Sequence, residues 1–275
     1  MASMMREDGP AGGDGGPATG VEATGCARGR SLRILSPHVH IAMHRLPVDP
    51  DPPAGPGPDA EGPARSPGLL ITFEGVEGAG KSTQVELLRR ALAERAPVVV
   101  REPGGTALGE RLRKLLLDPE VPPSPEAEMY LFMAARAELV ARVIAPALAS
   151  GRIVIADRYH DSTLAYQGGG RGLATWWPAS FPRPQRTFLL ELAPELGLAR
   201  QGLGVADRFE AEGLGFHRLV ADAYRQLAAA EPGRFVRLDA SRPPEEVHAQ
   251  VMEALADLLS PPPSLERTSS PGGRR

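Results

Sequence analysis

The stretch "GLLITFEGVEGAGKSTQVELLRRAL", residues 68–92, constrains this chain more than any other. A short apolar run turns directly into a glycine-rich loop. The loop then runs into a segment with Val85, Leu88 and Leu92 at helical spacing. A buried strand, a tight turn and an amphipathic helix satisfy that pattern together. From Gly75 to Ser82 the turn fits G-x-x-x-x-G-K-[ST]. Glycines there let successive backbone N–H groups face phosphate oxygens with no Cβ in the way. The following helix adds its positive N-terminal end.

Residues Gly75, Val76, Glu77, Gly78, Ala79, Gly80, Lys81, Ser82 and Thr83 are therefore the expected ATP-binding set. Lys81 would reach the β- and γ-phosphates, and the Ser82 hydroxyl would hold Mg²⁺. A chance glycine-rich turn is the competing reading, and the flanking strand and helix weigh against it. The loop alone does not distinguish a kinase from a switch or a motor.

Downstream the pattern repeats. "PVVVREPGG", "RIVIADRY", "RTFLLEL" and "RFVRLDA" read as four more strands, separated by helical stretches. Ser124 and Pro125 look like an N-cap and first-turn proline for a long helix through Ser150, kinked at Pro146. The fold class is α/β: a phosphate-loop parallel sheet of about five strands with helices on both faces. Ligands of such sheets lie beyond the carboxyl ends of the strands.

The ends differ in kind. Residues 1–67 hold 22 Gly and Pro, against 38 in the other 208 residues. This reads as a disordered Pro/Gly-rich extension, with the folded domain at 68–259 and a disordered tail at 260–275. His38, His40 and His44 sit close together in that extension, and a chance cluster is the simpler reading than a metal site. A net charge of −3 argues against a general nucleic-acid binder. One cysteine, Cys26, allows no internal disulfide, and no apolar run reaches the roughly 18 residues of a membrane span. A cytoplasmic location is the expectation.

The acceptor side rests on polar residues at strand ends. Asp157 ends an apolar run, where a carboxylate can organise Mg²⁺, and Arg158 follows with its fork of donors. Ser82 and Asp157 are thus the candidate metal ligands. Glu77 inside the loop would serve a sugar hydroxyl or stay solvated. "AYQGGGRG" supplies Tyr166, Gln167 and Arg171 around three glycines that let backbone approach a ligand. Phe132 and Arg136 are four residues apart and share a helix face. They offer a stacking surface beside a hydrogen-bond donor, as a pyrimidine requires. Phe132 alone reads more simply as core, whereas Arg136 in an apolar run needs a partner.

Taken together, "FEGVEGAGKSTQ", "REPGGTALGERLRKLLLD", "LFMAARAELV", "DRYHDSTLAYQGGGRG" and "DRFEAEGLGFH" resemble the bacterial thymidylate kinases. The resemblance implies a nucleoside-monophosphate-kinase-like fold and ATP-dependent phosphorylation of dTMP to dTDP with Mg²⁺. It implies that Glu77 contacts the sugar, Phe132 stacks on thymine, and Arg136 bonds a ring carbonyl or the phosphate. Arg158 would hold the acceptor phosphate, Asp157 would help place Mg²⁺, Tyr166 and Gln167 would line sugar and base, and Pro103 would pack by the base. Arg101 and Arg113 are further candidates for phosphate contact or structural pairing. Lys81, Arg158, Glu77 and Arg208 form the expected catalytic set. A homodimer is implied by the same analogy.

Two departures stand out. The lid segment "GLARQGLGVADRFE" carries only Arg200 and Arg208, so the transition-state cation is one of these or is missing. Between "GRG" and "RTFLLEL" the family has a full helix, whereas residues 173–185 here are 13 residues with three prolines that cannot form one. A kinase for another nucleoside monophosphate, or a nucleotide-binding homologue without turnover, are the alternatives.

Overall fold

The computed structural model describes residues 68–200, 208–209 and 211–260. The expected extension at 1–67, its histidines, Cys26, and the tail beyond Ser260 lie outside the described residues. Five strands form one parallel sheet: β1 Leu69–Glu74, β2 Val98–Arg101, β3 Ile153–Asp157, β4 Arg186–Glu191 and β5 Phe235–Asp239. Their order is β2-β3-β1-β4-β5, which puts β1 at the centre. The strand order reverses beside β1, so the phosphate loop leaves the sheet at the crevice where parallel sheets bind ligands.

Alternate residues of the central strands feed opposite layers, as the pleat requires. Ile71 and Phe73 join Ile155, Phe188 and Leu190 under α1 Lys81–Ala91, α7 Leu214–Ala230 and α8 Pro244–Ala254. Leu70, Val154 and Ala156 face the other layer with Leu139 and Ile144. Helices α2 Ala107–Leu117 and α3 Pro125–Leu139 begin at Thr106 and Ser124, whose side chains accept from Gly109 N–H and Ala127 N–H. None of the described helices is long and apolar enough to cross a membrane.

The long helix breaks earlier than expected. A π-helical turn, Val140–Ile144, separates α3 from α4 Ala145–Ala149. Pro146 has no N–H for the carbonyl four residues back, so the wider turn falls just ahead of the proline. After β3, α5 His160–Thr163 runs into a second π-helical segment, Leu164–Gly170. Two of its three glycines, Gly169 and Gly170, lie against α7. A Cβ on Gly169 would lie 2.3 Å from the Ala223 Cβ, and one on Gly170 would lie 2.5 Å from the Phe216 ring. The glycines let this segment pack closely on α7.

Residues 173–185 form no helix, as their prolines dictate. The segment still closes the second layer: Phe181 is buried there and Trp177 packs against it. Beneath it lies a buried ion pair, Arg234 Nη1 to Asp161 Oδ2 at 2.6 Å, with 9% and 0% of the side chains exposed. Arg234 also donates to Thr187 Oγ1 at 2.7 Å, and its guanidinium lies 5.5 Å from the Trp177 ring. Removing one partner strands a buried charge. Asp161→Ala should therefore lower unfolding stability in a urea titration by about 3–5 kcal/mol. A loss within about 0.5 kcal/mol, typical of surface changes, would mean the pair carries no structural weight.

Candidate active site

The phosphate loop is held by close backbone packing. Gly75 has φ 141°, and a Cβ there would meet the Leu190 carbonyl oxygen at 2.5 Å. Gly78 has φ 69°, and its Cβ would lie 2.1 Å from the carbonyl oxygen of Gly197. Gly197 belongs to α6 Pro194–Arg200, the helix that leads into the lid. A side chain at position 78 has no room against that helix. Lys81 is buried and donates to the carbonyls of Val76 at 2.8 Å and Gly75 at 3.2 Å. Burial and the nearby Arg158 lower its ammonium to about 8, against the pull of Glu77. Ser82 Oγ donates to Asp157 Oδ2 at 2.6 Å. A hydroxyl and a carboxylate side by side are hard oxygen donors, so the pair fits Mg²⁺. Among the described residues no group of three or more His, Cys, Asp or Glu could hold a metal ion alone. The remaining ligands would be phosphate oxygens and water, as Mg²⁺ prefers.

Arg158 sits at the end of β3 with φ 68°, a left-handed conformation that a non-glycine residue adopts only when its surroundings enforce it. Its Nη2 donates to Glu77 Oε2 at 2.6 Å and to the Tyr166 hydroxyl at 3.2 Å. Nη1 donates to the Gly75 carbonyl at 3.0 Å and to Ser162 Oγ and the Tyr224 hydroxyl, each at 3.3 Å. The Tyr166 hydroxyl also donates to Glu77. Burial alone would raise the Glu77 carboxyl, but Arg158, Lys81 and Tyr166 together hold it below the ordinary value. Glu74 supports this cluster from below, accepting from Tyr159 N–H at 2.8 Å, Ser162 Oγ at 2.6 Å and the Tyr224 hydroxyl at 2.9 Å.

Across the cavity stand Phe132 and Arg136 of α3. Phe132 is half-buried, with the Phe209 ring 5.7 Å away. Arg136 is 1% exposed. Its Nε donates to Glu102 Oε2 at 2.6 Å, its Nη1 to Thr163 Oγ1 at 2.8 Å, and its Nη2 to the Tyr159 carbonyl at 3.1 Å. The other Nη1 proton meets His160 Nδ1 at 3.1 Å. A guanidinium has five N–H groups, so one on Nη2 is left for a ligand carbonyl. Arg113 donates to the Pro103 carbonyl at 3.1 Å, and Gln167 is buried, donating to Glu128 Oε1 at 2.8 Å. A single cavity of about 270 Å³ is lined by Glu77, Lys81, Ser82, Asp157 and Arg158 on one side. Tyr166 lines it beside Glu77 and Arg158, and Pro103, Arg113, Phe132, Arg136 and Gln167 complete the lining. Arg101 also borders it, with Glu110 3.7 Å away.

Arg208 stands at the end of the lid segment. Its Nη1 pairs with Glu128 at 2.6 Å and its Nε donates to the Leu116 carbonyl at 3.1 Å, with 11% of the side chain exposed. These contacts fasten the end of the lid to α2 and α3. Arg200 donates to the Ala240 carbonyl at 3.0 Å, and residues 201–207 between them lie outside the described residues.

Sequence reasoning missed the acids that hold these cations. Glu128 is 1% exposed and binds Gln167, Arg171 and Arg208 at once. The signal was available, because Glu128, Phe132 and Arg136 recur at intervals of four on one helix face. Glu74 and Glu102 gave no such signal, since their partners lie on distant elements.

Burial, with a smaller push from Asp161, raises the Glu74 carboxyl from 4.5 to about 7. The folded chain thus binds this proton more tightly than the unfolded chain. Its contribution is complete below the unfolded value and is lost as pH rises through about 7. The melting temperature of the native chain relative to Glu74→Gln should therefore fall between about pH 5 and about pH 8. A difference that stays constant across that range would contradict the assignment.

The sequence model of the thymidylate kinase family matches residues 73–251. The thymidylate kinase of Synechococcus sp. (strain JA-3-3Ab) is 53% identical over 200 residues, covering 70% of this chain and 97% of that protein. That of Deinococcus radiodurans is 48% identical over 202 residues, covering 70% and 98%. The crystal structure of thymidylate kinase from Ehrlichia chaffeensis superposes with a TM-score of 0.55 at 30% identity, over 69% of this chain and 99% of that one. With the phosphate loop, the Asp157–Arg158 pair and the Phe132/Arg136 wall meeting in one cavity, this chain belongs to the thymidylate kinase family.

Proposed function

We propose a division of labour for the reaction of a thymidylate kinase, in which ATP and dTMP give ADP and dTDP. The observation that carries it is the shared cavity: Lys81 and Ser82 of the phosphate loop face the same space as Phe132, Arg136 and Arg158. Donor and acceptor can therefore meet there without a large rearrangement of the sheet.

The loop N–H groups and Lys81 hold the β- and γ-phosphates of ATP. Lys81 exchanges the carbonyls of Gly75 and Val76 for phosphate oxygens, whose negative charge favours the charged ammonium despite its burial. Ser82 and Asp157 would hold Mg²⁺ bound with ATP, which supplies neutralising charge at the phosphates. Arg158 takes the acceptor phosphate of dTMP through its fork. Glu77, shared between Arg158 and Tyr166, accepts from a sugar hydroxyl. Phe132 stacks on the pyrimidine, the remaining Nη2 proton of Arg136 meets its C4 carbonyl, and Pro103, Arg113 and Gln167 close the pocket. In transfer, a phosphate oxygen of dTMP forms a bond to the γ-phosphorus as the bond to the β,γ-bridging oxygen breaks. The acceptor oxygen is already ionised, so no general base is required. The Glu128 ion pair makes Arg208 a positioning residue for the end of the lid. Two parts of the reading rest on family analogy: a homodimer, and a cytoplasmic location.

Coupled ADP release with ATP, Mg²⁺ and each nucleoside monophosphate in turn tests the proposal. Turnover should be greatest with dTMP and fall at least about 10²-fold in kcat for Lys81→Ala. Equal or greater turnover with another monophosphate would overturn the substrate assignment. Binding of dTMP with no turnover would mean that the transfer machinery is lost.

A further inference from the structure

The non-helical segment, residues 173–185, reaches the proposed base pocket through one side chain. His160 Nδ1 lies 3.1 Å from Arg136 Nη1, and His160 Nε2 lies 2.7 Å from the Trp176 carbonyl oxygen. A guanidinium only donates and a carbonyl only accepts. The ring must therefore be neutral, with its proton on Nε2 and a lone pair on Nδ1 turned to Arg136. The surroundings agree: the ring is fully buried, and burial together with Arg136 lowers its imidazolium to about 3.

The segment grips that ring on several sides. Trp177 stands edge-on to it at 4.7 Å and Phe181 at 5.5 Å. Trp177 is itself pinned, its Nε1 donating to the Phe181 carbonyl at 2.9 Å and its face covered by Arg183 at 4.1 Å. Arg183 pairs in turn with Glu231 at 3.1 Å. Thr163 accepts from the same Nη1 as His160, and Glu102 holds the Nε edge of the guanidinium. Of its protein partners, His160 is the one clamped by the non-helical segment.

We propose that His160 is a positioning residue for pyrimidine recognition. Held by the 173–185 segment in its Nε2–H form, it aims the remaining Arg136 N–H at the C4 substituent of the base. This rests on the Arg136 role proposed above. An aimed donor favours a C4 carbonyl, as in thymine, and disfavours a C4 amino group, as in cytosine. A slack donor loses that difference. The segment thus takes over a task in the site as well as covering the core.

Three measurements test it. The ¹⁵N shifts of the His160 ring in the native protein should show a neutral Nε2–H imidazole from about pH 6 to about pH 8, well above its lowered titration range. A neutral Nδ1–H ring or a charged ring would overturn the proposal without any variant. His160→Ala should raise KM for dTMP about tenfold, leave kcat within about threefold, and lower the dTMP-over-dCMP ratio of kcat/KM about tenfold. His160→Asn places an amide oxygen near the Nδ1 position and should restore most of that ratio. A purely structural role predicts equal losses for both monophosphates, and that outcome would sink the idea. Arg136→Met separates the two levels. If it lowers the ratio while the His160 variants do not, base reading by Arg136 stands and the His160 proposal fails. If it leaves the ratio unchanged, the Arg136 reading fails with it.

Discussion

The active site depends on a cation held where a cation is costly. Arg158 lies at the carboxyl end of β3, deep between the phosphate loop and α5, in a backbone conformation unfavourable for any residue with a side chain. It is tolerable because every direction offers an acceptor: the Glu77 carboxylate, the Gly75 carbonyl and three hydroxyls. Glu74 in turn orders two of those hydroxyls, Ser162 and Tyr224. In the proposed function, an acceptor phosphate would exchange with some of these partners at a guanidinium that is already desolvated.

The same economy recurs on the base side and at the lid. Arg136 is held by Glu102, and Arg208 by Glu128, each pair at 2.6 Å. Such buried pairs add little net stability, but breaking one is expensive, which suits a site that must stay in register. The close approach of Gly78 to Gly197 adds a backbone constraint, because the phosphate loop and the helix leading to the lid meet with no room for a side chain between them. A chain with sparse lid arginines thus invests in the precision of its fixed cations.

Local patterns in the sequence carried the sheet. Each of the five strands was an apolar run bounded by Gly, Pro or charge, and those signals are short-range. The phosphate loop, Asp157–Arg158 and Phe132–Arg136 were legible for the same reason, since their residues are neighbours in the chain or on one helix face. The support of these residues was not legible. Glu77 and Arg158 are 81 residues apart, and Glu74 and Tyr224 are 150 apart. Nothing local marks such partners. The glycines at 169 and 170 left two readings open, because close packing on a helix and close approach to a ligand need the same missing Cβ.

In the proposed function Arg158 receives the acceptor phosphate, and Glu77 is its resting partner. Calorimetric binding of dTMP and of thymidine to the native chain and to Arg158→Ala tests this most directly, because thymidine keeps base and sugar and lacks only the phosphate. The account predicts that the substitution weakens dTMP by about 10–100-fold, the range of a charge-assisted pair, and leaves thymidine within about threefold. Equal weakening of both ligands would contradict it, and would make Arg158 a structural support for the loop with the phosphate bound elsewhere.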